Sequence, residues 1–261
     1  MNSPLCYLGG KSRLADKIVS LLPKDHVCYC EPFCGAAWVF FRKSPSKVEV
    51  VNDLDGELIR FFRVIQNHLE EFLRYYRFAV VSRKVFEWEN KKVPETLTDV
   101  QRAVRYFYLQ RTAFGGKTVG RTFGTGAVSG PRLNLTTLEE LLLEVHWRLA
   151  RVTIESLDGC ECIRRYDRPG TLFYLDPPYW KTAGYAVPFV EKDYYRLREC
   201  LDAVSGRFLL SLNDTRAVRS IFKGFTIRQV KTSYSAANGR NSDRSATKTE
   251  VLIHNFDRRR F

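Results

Sequence analysis

Short apolar runs of strand length alternate along this chain with amphipathic runs of helical length. Seven runs are rich in β-branched and aromatic residues: 27–32, 48–53, 152–158, 171–176, 207–213, 225–230 and 250–256. Apolar residues at helical spacing lie before the first run and between the first two. Strands that alternate with helices favour a sheet whose strands are mostly parallel and whose crossover helices cover both faces. The sequence therefore predicts an α/β fold with a mixed, mostly parallel sheet.

About 100 residues between the second and third predicted strands differ from this pattern. They contain the helical patterns of residues 55–76, 97–114 and 137–150. A connection in an α/β unit normally needs only about two to six residues on each side of its helix, so the excess indicates an insertion. We predict a sheet domain of residues 1–54 and 151–261, interrupted by a mainly helical subdomain of residues 55–150.

The basic charge of the chain is concentrated in this predicted insertion. The whole chain carries a formal net charge of +13, and residues 77–132 contain 11 Lys or Arg against four Asp or Glu. Residues 105–132 contain no acidic residue. Such a surface favours a polyanionic partner, most simply nucleic acid.

A glycine-rich segment lies at the centre of this basic region. Six of the chain's 16 glycines fall between Gly115 and Gly130, interleaved with Lys117 and Arg121 and followed by Arg132. We interpret residues 113–132 as a mobile, basic β-hairpin, and we expect Arg111, just before it, to share its role. A plain surface loop with solvated charges is the alternative.

The cysteines and histidines show no spacing typical of a metal site. Cys28/Cys30 and Cys160/Cys162 are each separated by one residue, as on one face of a strand. We expect reduced core thiols. No apolar run approaches the roughly 18 residues that cross a bilayer, and the N-terminus lacks the apolar core of a signal peptide. We therefore expect a cytoplasmic protein without a membrane partner.

The stretch TLFYLDPPYW, residues 171–180, carries the strongest chemical signal. Asp176 ends a predicted strand, and open α/β sheets place ligands at that edge. Pro177 and Pro178 fix φ and contribute no N–H, so the chain is stiff as it leaves the strand. Asp176 and the Pro177 carbonyl offer acceptors for the two hydrogens of an exocyclic amino group, while Tyr179 offers a ring that stacks on a heterocycle. These four residues are the predicted catalytic group.

Several motifs together resemble one known family. Asp-Pro-Pro-Tyr is similar to the catalytic motif of amino-methyltransferases that use S-adenosylmethionine. YLGGKSRL (7–14), EPFCGAAWVFF (31–41) and VNDLD (51–55) resemble, in this order, motifs of the Dam-type, D12 class DNA adenine-N6 methyltransferases of the alpha group. The resemblance implies a Rossmann-like methyltransferase sheet with an inserted DNA-recognition subdomain.

The resemblance also implies roles for individual residues. Tyr7 and Lys11 would line the methionine end of the cofactor, and Asp53 would bind the ribose hydroxyls. Phe33 and Gly35 would shape the loop beneath the cofactor, Asp158 would lie beside its adenine, and Asp176 would contact it. Ala37 departs from the family, which usually has a second glycine there. The phosphate-loop alternative for GGKS (9–12) fails because its first glycine would have to stand at Leu5.

The predicted reaction is methyl transfer from S-adenosylmethionine to N6 of a flipped adenine in double-stranded DNA, with S-adenosylhomocysteine as product and no metal. The resemblance suggests GATC as the target, and we expect Arg111, Lys117, Arg121 and Arg132 to contact DNA. No obligate protein partner is evident. Structured RNA as substrate, or a catalytically silent DNA-binding relative, are the alternatives. Modification of a protein glutamine fits less well, because that enzyme's motif usually begins with Asn.

Overall fold

The computed structural model describes residues 1–7, 10–124, 130, 132–182, 184–233 and 247–256. The strands in these ranges are β1 (Cys28–Glu31), β2 (Val48–Asn52), β3 (Thr153–Glu155), β4 (Thr171–Leu175), β5 (Arg207–Asn213), β6 (Thr226–Ser233) and β7 (Thr247–His254). They form one sheet in the order β3-β2-β1-β4-β5-β7-β6. Neighbours from β3 to β5 are parallel, whereas β7 runs antiparallel to both β5 and β6. The mixed, mostly parallel α/β sheet predicted from the sequence is confirmed.

Helices connect these strands and fill the region between β2 and β3. The α-helices are α1 (Ala15–Leu21), α2 (Trp38–Arg42), α3 (Gly56–Asn67), α4 (Leu69–Tyr76), α5 (Arg83–Lys91), α6 (Asp99–Thr112), α7 (Leu138–Leu149), α8 (Gly159–Tyr166), α9 (Glu191–Asp202) and α10 (Arg216–Ile221). Short 3₁₀ turns span Pro94–Thr96 and Phe114–Gly116. Within the described ranges, no helix is long and apolar enough to cross a membrane.

The helical pattern of residues 55–76 is two helices rather than one. The backbone of His68 leaves the helical region, with φ −138° and ψ 40°, and separates α3 from α4. The side chain of Asp55 accepts hydrogen bonds from the first turn of α3, and Thr98 and Gln101 form a reciprocal cap at the start of α6. These caps satisfy backbone donors that the first helical turn leaves unpaired.

Both faces of the sheet are buried, which explains the uninterrupted apolar run of β4. Leu172 and Tyr174 face a core that includes residues of α1, α2, α3, α4, α6 and α7. Phe173 and Leu175 face a second core with α8, α9 and α10. The first core runs from the strands into the helices between β2 and β3. The predicted boundaries between the sheet domain and the helical subdomain, at residues 54 and 151, therefore stay a prediction.

Two of the cysteines occupy a different element from the one predicted. Cys160 and Cys162 lie in α8, because the Asp158 side chain accepts hydrogen bonds from Cys160 and Glu161 N–H and starts a helix there. The strand interpretation of this pair was therefore wrong. All seven cysteines lie in described positions and are free thiols.

The predicted β-hairpin of residues 113–132 is described only in part. Phe114 N–H donates to the Thr122 carbonyl at 2.7 Å, and Gly124 N–H donates to the Thr112 carbonyl at 2.8 Å. The chain thus turns back antiparallel to itself, although residues 113–124 form one isolated bridge and no regular strand. Residues 125–129 and 131 lie outside the described ranges.

Candidate active site

Two adjoining cavities lie at the carboxyl ends of the parallel strands. The larger, which we call the large cavity, holds about 790 Å³, and the small cavity beside it holds about 420 Å³. Both are lined by Tyr7, Phe33, Gly35, Asp176 and Tyr185. Asp176 therefore lies where the two cavities meet, at the sheet edge where open α/β folds bind ligands.

The structure brings together most of the residues predicted to form the site. Tyr7, Phe33, Gly35, Asp53, Asp158 and Asp176 line the large cavity, together with Pro178. Lys11 lines the small cavity. Pro177 and Tyr179 are not among the lining residues of either cavity, and the Tyr179 ring instead lies 4.6 Å from the Lys11 ammonium.

The Asp176 carboxylate is held by two donors. Lys11 Nζ lies 2.5 Å from Oδ1, and Ser211 Oγ donates to the same oxygen at 2.9 Å. Within the described part of the chain, Oδ2 accepts no hydrogen bond. Burial raises the pKa of Asp176, while Lys11 and the Ser211 hydrogen bond oppose this rise. About 20% of the Asp176 side-chain surface is exposed where the two cavities meet.

The loop after β1 is fixed by Asp53 from the end of β2. Asp53 Oδ2 accepts from Gly35 N–H and Oδ1 accepts from Asp55 N–H, both at 2.9 Å. Burial raises the Asp53 pKa to about 6, although these hydrogen bonds oppose the rise. Each oxygen keeps a second lone pair for a ligand hydroxyl. Gly35 has φ +47°, a conformation that favours glycine, and a β-carbon there would meet the Tyr7 ring at 3.5 Å.

Ala37, the departure from the family motif, adopts a left-handed conformation with φ 53° and ψ 37°. It directly precedes α2 and is buried. This region favours glycine, because a β-carbon there crowds the backbone. A glycine would adopt this turn without that crowding, whereas this chain holds it with an alanine.

Asp158 lies in the wall of the large cavity, but its carboxylate already has partners. Oδ1 caps α8, and Oδ2 accepts from Arg196 Nη2 of α9 at 2.6 Å. The next residue, Gly159, lies under the Phe33 ring, where a β-carbon would come within 2.1 Å of a ring atom. Phe33 also packs edge-on against Phe189, with ring centroids 5.8 Å apart.

Sequence reasoning assigned no role to several residues of this site: Glu31, Gly159, Tyr185, Arg196 and Ser211. Glu31 had a usable signal, because it ends β1 and is the first residue of the motif EPFCGAAWVFF (31–41). Burial raises its pKa to about 8, although Tyr29 donates a hydrogen bond to it at 2.7 Å. The other four are distant in sequence from the motifs or carry no local pattern.

The four residues predicted to contact DNA differ in their surroundings. Lys117 and Arg132 are exposed. Arg121 is half-buried and donates to Gln110 Oε1 at 3.5 Å. The Arg111 guanidinium donates to the carbonyls of Pro4 and Arg132, and burial lowers its pKa.

Arg111 thereby holds the N-terminal segment against the insertion. Its contact with DNA, like those of the other three residues, stays a prediction. The hydroxyl of Thr118, next to Lys117, donates to the Gly184 carbonyl at 2.9 Å and is buried. This contact joins the glycine-rich, basic region of residues 113–132, which we call the basic segment, to residues 184–189, several of which line the large cavity.

The walls of the large cavity suit a particular kind of ligand. Its carboxylates are Asp53, Asp55, Asp158, Asp176 and Asp193. The apolar side chains of Phe33, Pro188 and Phe189 line the same cavity and suit a planar heterocycle. No group of three or more His, Cys, Asp or Glu side chains in the described residues is placed to hold a metal ion.

This topology is that of a Rossmann-like fold, and the two cavities lie at the carboxyl edge of its sheet, where such folds bind ligands. The sequence profile of the D12 class N6 adenine-specific DNA methyltransferases matches residues 7–236. The chain belongs to this family, whose members are enzymes that methylate adenine in DNA.

Individual relatives agree with this family. The chain is 25% identical to the Type II methyltransferase M1.LlaDCHI of Lactococcus lactis subsp. cremoris, over 96% of this chain and 94% of that protein. It is 26% identical to the Retron Ec67 DNA adenine methylase of Escherichia coli, over 95% of this chain and 90% of that protein. Among solved structures, it is similar to a SAM-dependent O-methyltransferase from Thermotoga maritima, with a TM-score of 0.41 and 14% identity, covering 94% of this chain and 65% of that chain.

Proposed function

We propose that this protein transfers a methyl group from S-adenosylmethionine to N6 of a flipped adenine in double-stranded DNA. The observation that carries the proposal is the position of Asp176 between the two cavities, with Oδ1 held by Lys11 and Ser211 and with no donor to Oδ2 among the described residues. A carboxylate oxygen without a donor at this position supports recognition of an amino group.

The large cavity fits the proposed cofactor in charge and in shape. S-adenosylmethionine bears a sulfonium and an ammonium, and a wall rich in carboxylates favours cationic groups. Asp53 would accept the ribose hydroxyls, with Phe33 and Phe189 on the adenine side. Tyr7, Lys11 and Gly35 would surround the methionine end, where Glu31 supplies a further carboxyl group. When bound, the cofactor supplies an electrophilic methyl group.

Asp176 would prepare the nitrogen of the target. The lone pair of an adenine amino group is delocalised into the ring, so the nitrogen is a weak nucleophile. Asp176 Oδ2 accepts a hydrogen bond from N6 and draws electron density onto the nitrogen. As the new nitrogen–carbon bond forms, the N6 proton becomes acidic and passes to Asp176 and then to solvent.

The adenine has to leave the helix to reach Asp176, since an amino group in a stacked base pair is inaccessible. Flipping costs a few kcal/mol, and contacts to the duplex must hold the DNA meanwhile. We assign these contacts to Lys117, Arg121 and Arg132, with Arg111 supporting the fold of the basic segment. Phosphate contacts hold the duplex without reading its sequence.

A labelling experiment tests the reaction. Purified protein is incubated with tritiated cofactor and unmethylated DNA, and the labelled nucleosides are identified. We expect label in N6-methyladenine, and none with Asp176→Ala, which should still bind DNA. Label in N4-methylcytosine, or no label in DNA while RNA is labelled in a parallel reaction, would reject the proposal.

We also propose GATC as the target sequence, on the basis of the family resemblance. Genomic DNA from a methylation-free host that expresses the chain would be sequenced with a method that detects N6-methyladenine. We expect methylation at GATC sites. A different common sequence around the methylated adenines would replace this assignment without affecting the reaction.

The DNA contacts have their own test. Lys117→Ala and Arg121→Ala should weaken DNA binding, and the slope of log K against log salt should fall by about one for each lost phosphate contact. An unchanged slope would place the DNA elsewhere on the surface.

A further inference from the structure

Two hydroxyl groups behind Asp176 form a chain of hydrogen bonds that the sequence motifs do not include. Ser211 Oγ lies 2.9 Å from Asp176 Oδ1, and Tyr174 Oη lies 3.1 Å from Ser211 Oγ. Ser211 is fully buried and Tyr174 nearly so. Neither residue belongs to the Asp-Pro-Pro-Tyr motif.

The direction of this chain follows from the chemistry of its members. An ionised carboxylate only accepts hydrogen bonds, so Ser211 donates its single hydrogen to Asp176. The serine oxygen can then accept from Tyr174. Burial raises the pKa of Tyr174 well above its ordinary value, so the phenol keeps its proton. The order is therefore Tyr174 to Ser211 to Asp176.

The chain is built on the rigid centre of the sheet. β4 and β5 are parallel neighbours with Leu175 beside Leu210, so Asp176 and Ser211 are the next residues along the same register. Tyr174 comes from β4, packs in the first core and also lines the small cavity, so the Tyr174→Phe test includes the dissociation constant for the cofactor. A hydrogen-bond chain from residues on two buried strands fixes the rotamer of Asp176 more firmly than a hydrogen bond from a loop residue would.

We propose that Ser211, itself oriented by Tyr174, is a positioning residue that directs the Asp176 carboxylate toward the target amino group. Ser211 and Lys11 together satisfy Oδ1, which leaves Oδ2 for the amine hydrogen. Lys11 also lines the small cavity, whereas Ser211 contacts Asp176 from the buried side. This role rests on the proposed function, in which Asp176 receives the amine.

The experiment compares Ser211→Ala with wild-type protein in single-turnover methylation. Loss of a hydrogen bond to a charged group costs about 1.5–3 kcal/mol, and we therefore expect the rate to fall about tenfold to a hundredfold. The dissociation constants for cofactor and for DNA should stay within about twofold, because Ser211 touches neither ligand in the proposed arrangement.

A second measurement does not depend on activity. The Ser211 hydrogen bond lowers the pKa of Asp176, so its removal should raise that pKa. Carboxyl-selective ¹³C NMR would follow the titration in both proteins, and the acid limb of the pH-rate profile should move to higher pH in parallel. The titratable groups that face Asp176 are Lys11, Glu31, Tyr174, Tyr185 and Glu250, all present in both proteins.

Tyr174→Phe tests whether the tyrosine acts through the serine. We expect a smaller fall in rate than with Ser211→Ala, and no further fall when the two changes are combined. Ser211→Thr, which keeps a hydroxyl, should restore most of the rate. Additive effects of the two changes would remove Tyr174 from the proposal.

An unchanged rate and an unshifted Asp176 titration in folded Ser211→Ala would overturn the proposal. A wild-type protein that fails to methylate DNA would instead overturn the proposed function. The NMR titration would then still decide whether Ser211 controls the Asp176 carboxylate.

Discussion

The Phe33 ring occupies the space that a side chain on residue 159 would need. A β-carbon built on Gly159 lies 2.1 Å from the tip of this ring, far inside van der Waals contact. Gly159 does not adopt a positive φ, so the ring, rather than the backbone conformation, requires glycine here. Phe33 and Gly159 both line the large cavity, and this contact therefore sets the shape of the proposed adenine side.

Gly159→Ala should displace Phe33 and weaken cofactor binding. We expect the dissociation constant for S-adenosylmethionine to rise about twofold to tenfold, as when a positioned aromatic contact of about 0.5–1.5 kcal/mol is lost. Isothermal titration calorimetry would measure it. Gly56→Ala is the matched control, since it also begins a helix and a β-carbon there meets nothing within 4 Å. Equal effects of both changes would contradict the role of Phe33.

Ala37→Gly should stabilise the protein, because it relieves a left-handed residue. The gain in the free energy of unfolding should be about 0.5–1 kcal/mol, after the greater flexibility of glycine in the unfolded chain is subtracted. Urea denaturation would measure it. Ala36→Gly is the control, because Ala36 is also buried but does not have a positive φ, and its replacement should destabilise by a similar amount. A loss of stability in both variants would mean that Ala37 carries no strain.

The motif residues of the site were predictable because their signals are local. Asp176 directly follows a strongly apolar strand and precedes two prolines, and these local features place it at the sheet edge. Ser211 was not predictable, since its approach to Asp176 depends on the register of β4 against β5. Gly159 was hidden for a similar reason, because its neighbour Phe33 comes from a distant loop.

The misplaced elements have equally specific causes. The spacing of Cys160 and Cys162 fits a strand, but the cap formed by Asp158 starts a helix. The break at His68 interrupts an apolar pattern that continues on both sides of it, so periodicity alone predicts one long helix. In both places the local structure departs from what the spacing of apolar residues predicts.

Cofactor binding should weaken as the pH falls through the Asp53 pKa. Burial raises this pKa to about 6, so the carboxyl group of the free protein gains its proton below that pH. A protonated carboxyl group is a poorer acceptor for two ribose hydroxyls. If the cofactor binds only the ionised form of Asp53, its affinity should be about tenfold lower at pH 5 than at pH 7. Calorimetry from pH 5 to pH 7 would measure the dependence. Asp53→Asn should bind the cofactor more weakly and should lose most of the pH dependence of binding. If the variant keeps the full wild-type pH dependence, the titration belongs to another group.

Thr118→Val should loosen the contact between the basic segment and the wall of the large cavity. The substitution keeps the shape of the side chain and removes the hydrogen bond to the Gly184 carbonyl. Loss of about 1 kcal/mol corresponds to roughly fivefold faster amide exchange at residues 184–189, if these open locally. Hydrogen-exchange mass spectrometry would detect this. The control is Thr122→Val, since Thr122 is exposed and contributes its backbone carbonyl rather than its hydroxyl. Unchanged exchange in Thr118→Val would show that the two segments are held independently.

Glu49→Ala should destabilise the fold far more than the loss of a surface ion pair. Glu49 on β2 is buried and accepts from Lys43 Nζ at 2.6 Å and from the Arg148 guanidinium at 2.9 Å. Removing it leaves two cations without their carboxylate, and breaking such a buried pair costs about 3–5 kcal/mol. Asp16→Ala is the control, because the exposed Asp16–Arg42 pair should contribute at most about 1 kcal/mol. Urea denaturation at pH 7 would compare the two, and similar losses would mean that the Glu49 cluster is solvated in solution.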